Sequence, residues 1–138
     1  MKLLLDTCVF SELWKPAPSG RVIEWLESVR EDDLCLSVLT LGEIQRGVSK
    51  LGQTKRASHL GALFADLRER FAAGTLPVTP EIALRWGALS ADAGKRGRPL
   101  HPIDGLLCAT ALEHGLTVVT RNEDDFAVTG VALLNPWS

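Results

Sequence analysis

Three acidic side chains stand where apolar chain meets a turn or where little else is charged. Leu3-Leu4-Leu5 ends in Asp6, and Glu43 stands among Leu41, Gly42 and Ile44, a few residues past Cys35-Leu36-Ser37-Val38. Asp104 opens the stretch Gly105-Leu106-Leu107-Cys108-Ala109. A fourth apolar run, Thr117-Val118-Val119-Thr120, passes into Arg121-Asn122-Glu123-Asp124-Asp125-Phe126. Carboxylates brought together repel one another unless a divalent cation or a proton neutralises them, so their convergence points to a metal site built from oxygen ligands. Taken singly, each acid has an ordinary reading. Asp6 would cap a helix, Glu43 would be solvated, Asp104 would face a helix dipole, and residues 123–125 would form a surface turn. Neither Glu43 nor Asp104 lies in a generally charged stretch, and the four together favour the site.

The elements that must position these groups alternate between short strands and helices. Residues 2–5 read as a buried strand, and Asp6-Thr7 caps a helix through Trp14 that Lys15-Pro16-Ala17-Pro18 breaks. Val22, Ile23, Trp25, Leu26 and Val29 mark an amphipathic helix over 20–31. Residues 34–37 form a second strand. Helix 39–49 follows, with Leu41, Ile44 and Val48 on its apolar face and Glu43 on an adjacent one. Helix 54–73 carries Leu60, Leu63, Phe64, Leu67 and Phe71, and 75–78 is a weak third strand. Pro80 starts a helix that ends in the basic loop Lys95-Arg96-Gly97-Arg98-Pro99, and Pro102 starts another that ends at His114-Gly115. Strands at 117–120 and 131–134, the latter an edge, complete the pattern. It predicts an α/β fold: one domain over 1–138, with a parallel sheet of four to five strands flanked by helices. Ligands of such sheets sit beyond the carboxyl ends of the strands. Asp6 and Asn122 fall at such ends, and Glu43 and Asp104 fall early in helices close to that edge.

Composition narrows the classes. With 138 residues, 46% hydrophobic and 23% charged, the chain can bury a core. A formal charge of -2 excludes a binder held to nucleic acid by bulk positive charge. It leaves a nucleic-acid enzyme open, since a bound cation changes the local sign. Cys8, Cys35 and Cys108 lie in apolar runs at no zinc-site spacing, which predicts reduced, structural thiols in a cytoplasmic protein. No run approaches the ~20 apolar residues of a membrane span. His59, His101 and His114 lie on or beside helices without matching partners and read as surface or capping residues.

Four segments carry a resemblance to a known family: Leu4-Leu5-Asp6-Thr7-Cys8-Val9-Phe10-Ser11-Glu12, Ser37 to Gly47 around Glu43, Ile103 to Ala111 around Asp104, and Thr120 to Phe126. In that order, and with the ending Leu133-Leu134-Asn135-Pro136-Trp137, they resemble the PIN-domain ribonucleases, and within them the VapC toxins of toxin–antitoxin pairs. The resemblance implies an endoribonuclease with a PIN-like fold whose metal ligands fall on Asp6, Glu43 and Asp104. The family's fourth position, often Asp, falls on Asn122, with Asp125 three residues further on as the other candidate. It also implies Mg2+, with Mn2+ as a substitute, an RNA substrate, a small antitoxin lodged in a groove, and a homodimer. Thr7, Ser37 and Thr120 would orient the carboxylates or cap turns. Cys8 replaces an Asn frequent in relatives and reads as packing. Cations placed to meet RNA are Arg46, Lys50, Lys55, Arg56, the Lys95–Arg98 loop and Arg121, with Arg46 and Arg121 closest to the motifs. The competing reading is a PIN-fold binding module with a degenerate, non-hydrolytic acidic site. A haloacid-dehalogenase-like phosphatase would need a second Asp where Cys8 stands. A receiver-type module would need an acidic pair near the first strand and a late Lys, neither of which is evident.

Overall fold

The computed structural model describes residues 2–138. Five strands, β1 (Leu3–Leu5), β2 (Leu34–Ser37), β3 (Thr75–Leu76), β4 (Thr117–Val119) and β5 (Leu133–Leu134), form one sheet in the order β3-β2-β1-β4-β5. Every pairing is parallel. Seven α-helices complete it: α1 (Thr7–Leu13), α2 (Gly20–Ser28), α3 (Val38–Lys50), α4 (Lys55–Arg70), α5 (Pro80–Lys95), α6 (Pro102–His114) and α7 (Glu123–Ala127). This is the α/β architecture that the alternating runs predict. The strands are mostly apolar because helices cover both faces.

Alternation along β1 divides the core. Leu4 packs with Leu107, Cys108, Ala111, Val118 and Phe126 on one face, while Leu5 packs with Val9, Phe10, Leu36, Phe64 and Val119 on the other. Strand order reverses at β1, whose neighbours are β2 on one side and β4 on the other. A crevice opens at such a switch point. Register aims the site into it: Leu5 lies opposite Val119, and Asp6 N donates to Val119 O at 3.0 Å. Asp6 and Thr120 therefore leave adjacent strands side by side.

The boundaries differ from the sequence pattern where backbone chemistry intervenes. The second helix stops at Ser28, because Val29 is already extended (φ -104, ψ 153). The fourth stops at Arg70, its apolar stripe closing on Phe71 at the cap. The third strand shrinks to two residues before Pro77, which has no N–H to give a ladder. Residues 123–127, readable as a surface turn, are a helical turn anchored by buried Phe126.

Two glycines fix α6. Gly115 ends it at φ 66, the left-handed cap its position predicts. Gly105 admits Trp86 of α5, since a Cβ there would meet Trp86 Cδ1 at 2.8 Å. That contact sets how closely the helix carrying Asp104 lies on its neighbour. Among the described residues, no helix is long and apolar enough to cross a membrane.

Candidate active site

Asp6 is the most buried acid of the crevice, 7% exposed, and both carboxylate oxygens are held. Oδ1 accepts from Thr7 N at 2.8 Å, and Oδ2 accepts from the Thr120 hydroxyl at 2.8 Å. The buried Thr120 oxygen in turn accepts from Asn122 N at 3.0 Å, so one hydroxyl joins the ends of β1 and β4. On the other side, the Thr7 hydroxyl donates to Glu43 Oε1 at 2.6 Å, across 36 residues of chain. The hydroxyls of Thr7 and Thr120 thus orient the carboxylates. Ser37 instead caps α3, accepting from Leu39 N at 3.0 Å. Asp104 sits in the first turn of α6, partly exposed.

The acids act on one another through space. The Asp104 carboxyl is pushed up to about 6, first by burial and then by the charges of Asp6 and Asp125, with Glu43 adding and His101 partly offsetting. Asp6 is also raised: burial outweighs its hydrogen bonds from Thr120 and Thr7, and Glu43 adds to the rise. Among the described residues, no three His, Cys, Asp or Glu side chains close into a ready metal shell.

Asp6 and Glu43 are thus joined through Thr7, and Asp104 lies near enough for both charges to act on it. Of the two candidates for the fourth position, Asp125 lines a cleft of 330 Å³ with Asp104, Asp124, Arg98 and His101. Asn122 is exposed at the N-cap of α7, and its recorded link to the site is its backbone N–H. Cys8, expected as packing and not as a nucleophile, does more than pack. Its half-buried thiol lies 3.6 Å from Asp6 Oδ2 and 3.7 Å from Thr120 Oγ1. Burial and then the Asp6 charge push it up to about 11, so it remains a neutral thiol. Cys35 and Cys108 are buried and free. Arg46 is exposed, and Arg121 lies 5.7 Å over the Trp137 ring.

Sequence reasoning missed two features. His101 sits at the N-cap of α6 but makes no side-chain cap bond, and it lines the cleft wall. Its one signal is its place three residues before Asp104. The second is the C-terminal tail. Glu12, at the end of α1, accepts from Trp137 Nε1 at 2.9 Å, Ser19 N at 3.1 Å and Lys15 Nζ at 3.3 Å. Asn135 of the same tail donates to Glu123 at 3.1 Å, which braces α7.

Residues 3–131 match the PIN domain model. The chain belongs to the PIN-domain family and, within it, to the VapC-type toxins. It is 36% identical over 137 residues to "Toxin FitB" of Neisseria gonorrhoeae, covering 98% of each chain. It is 32% identical to "VapC ribonuclease Y4jK" of Sinorhizobium fredii over 136 residues, 98% of this chain and 97% of that one. The solved "Structure of FitAB bound to IR36 DNA fragment" superposes with a TM-score of 0.93 at 34% identity, covering 99% of this chain and 96% of that one.

Proposed function

We propose that the protein is a Mg2+-dependent endoribonuclease, with Mn2+ as a substitute, that acts in the cytoplasm as the toxin of a toxin–antitoxin pair. The observation that carries the reading is the convergence of Asp6, Glu43, Asp104 and Asp125 from four separate elements into one electrostatic field. The donors are oxygens, and Asp104 carries charge its surroundings do not balance, which fits a hard divalent cation. Asp6 and Asp104 would hold the ion, with Glu43 beside them. Such an ion would lower the pKa of water and neutralise charge developing on a phosphodiester.

The remaining work falls to the chain. Thr120 and the Thr7 N–H lock Asp6 in one orientation. The Thr7 hydroxyl fixes Glu43 through Oε1, leaving Oε2 to accept a proton from the attacking water. Cys8 stays protonated and adds no charge to the cluster.

A partner protein would find a seat on the helices. A groove of 390 Å³ runs between α1, α2 and α4, lined by Phe10, Leu13, Trp14, Leu26, Leu63 and Leu67, with Glu31 and Arg70 paired at its edge at 2.8 Å. Its apolar floor and polar rim suit an amphipathic segment of a partner protein.

The test is cleavage of total cellular RNA by purified wild type and Asp6→Ala, with Mg2+, Mn2+ or EDTA. Discrete, metal-dependent fragments from wild type alone are expected. No cleavage by folded, antitoxin-free wild type would overturn the reading and leave a PIN-fold binding module.

A further inference from the structure

We propose that a second cavity, beside Glu43, is a nucleobase subsite that holds one unstacked base of the RNA next to the bond that is cut. This deepens the nuclease reading and rests on it. The cavity measures 270 Å³ and is bounded by α1, α3 and α4. That is just under the ~300 Å³ at which ligand pockets ordinarily begin, room for one small planar group rather than a helix.

Its walls suit a base. Trp14, Ile44, Val48 and Leu60 are apolar, while Ser11 and Arg56 supply polar groups. Trp14 packs on Phe10 as a tilted pair, with ring centroids 5.9 Å apart. Arg56 makes no ion pair among the described residues. Thr54 holds the start of α4 beneath it, accepting from Ala57 N at 3.1 Å.

Position selects the occupant. Thr7 and Glu43 line this cavity and also belong to the acidic crevice. A base is joined to its phosphate through one sugar, so a base seated here brings its phosphodiester to the carboxylates. Without a bound cation the acids repel phosphates, so the neutral base is the part of the nucleotide that this wall itself accepts. Arg56 then meets either the base edge or the neighbouring phosphate. The larger groove proposed for the antitoxin is a separate cavity, and Trp14 lines both.

Gly47 lies on the cavity wall, and a Cβ there would meet no heavy atom within 4 Å. Gly47→Leu therefore fills the space without a clash at Cβ, and it replaces glycine with a better helix former within α3. The experiment measures binding of short single-stranded RNAs by fluorescence anisotropy in EDTA, and cleavage of the same RNAs in Mg2+. Gly47→Leu should bind roughly 5- to 150-fold more weakly, the loss expected of one stacked base, and should shift where the same RNAs are cut. Gly87→Leu, an exposed helical glycine on α5, should match wild type in both. Unchanged binding and cleavage pattern in Gly47→Leu would overturn the proposal. Loss of antitoxin binding alone would overturn it too, giving the cavity to the antitoxin. Should Gly47→Leu fail to melt cooperatively, Arg56→Ala decides: several-fold weaker RNA binding supports the subsite, and unchanged binding overturns it. A wild type that binds RNA through this cavity yet never cuts it would sink the nuclease reading alone.

Discussion

Replacing Asp104 with asparagine keeps the shape of the side chain and removes one charge from the crevice. Its carboxyl is pushed from 3.8 to about 6, a difference that corresponds to ~3 kcal/mol between its charged and neutral forms. Asp104 is partly exposed, and solvent screening reduces the effect on folding to ~1 kcal/mol. The charge also sits in the first turn of α6, where the helix dipole returns ~0.3 kcal/mol that asparagine gives up. The metal-free variant should therefore be more stable than wild type at pH 8 by somewhat under ~1 kcal/mol, a melting point higher by about 3 °C.

The sign follows from proton binding. Between about pH 4 and 6 the native carboxyl keeps a proton that the unfolded chain has lost, so wild-type stability falls as pH rises through that window and stays lower above it. The gap between variant and wild type should close as pH falls toward 4. Adding Mg2+ at pH 8 should raise the melting point of wild type more than that of Asp104→Asn, because the charge that destabilises the empty site is the one that holds the ion. Thermal melts followed by circular dichroism in EDTA and in Mg2+, from pH 4 to 8, test the chain of reasoning. A gap of the same size at pH 4 as at pH 8, or none at pH 8, would refute the electrostatic account.

Two further outcomes follow from the hydrogen bonds and the groove. Thr7→Val removes the 2.6 Å bond to Glu43 while keeping the side-chain volume; kcat for RNA cleavage should fall about tenfold, ~1.4 kcal/mol of lost positioning, with the melting point little changed, and Thr7→Ser should restore most of it. Undiminished kcat in Thr7→Val would show that Glu43 needs no such anchor. Leu63→Arg places a charge on the wall of the 390 Å³ groove and should weaken antitoxin binding in calorimetry by at least tenfold without lowering RNA cleavage; unchanged affinity would move the antitoxin elsewhere.

The sequence by itself determined the architecture and singled out the acids of the candidate site. Runs such as Leu3–Leu5 and Leu34–Leu36 are apolar without alternation because both faces of a parallel sheet are covered, and that pattern survives in one dimension. Asp6, Glu43 and Asp104 were legible because each breaks an otherwise apolar context, and Gly115 because a helix end favours a residue that tolerates positive φ. What the sequence left open depends on contacts between distant segments. Ser37 and Thr120 are both hydroxyls near strand ends, yet one caps a helix and the other binds Asp6; the register of β1 on β4 makes the difference. The local pattern reads Cys8 as packing and His101 as a surface or capping residue, and only the assembled structure sets the thiol against Asp6 and places His101 on one cleft with Asp104. The same holds for Glu12, an ordinary helix acid until Trp137 closes on it from the far end of the chain. Residue type and local period fix which elements form and which groups can do chemistry. Strand order and register decide which of those groups meet, because burial and like-charge repulsion act through space between residues that the chain keeps far apart.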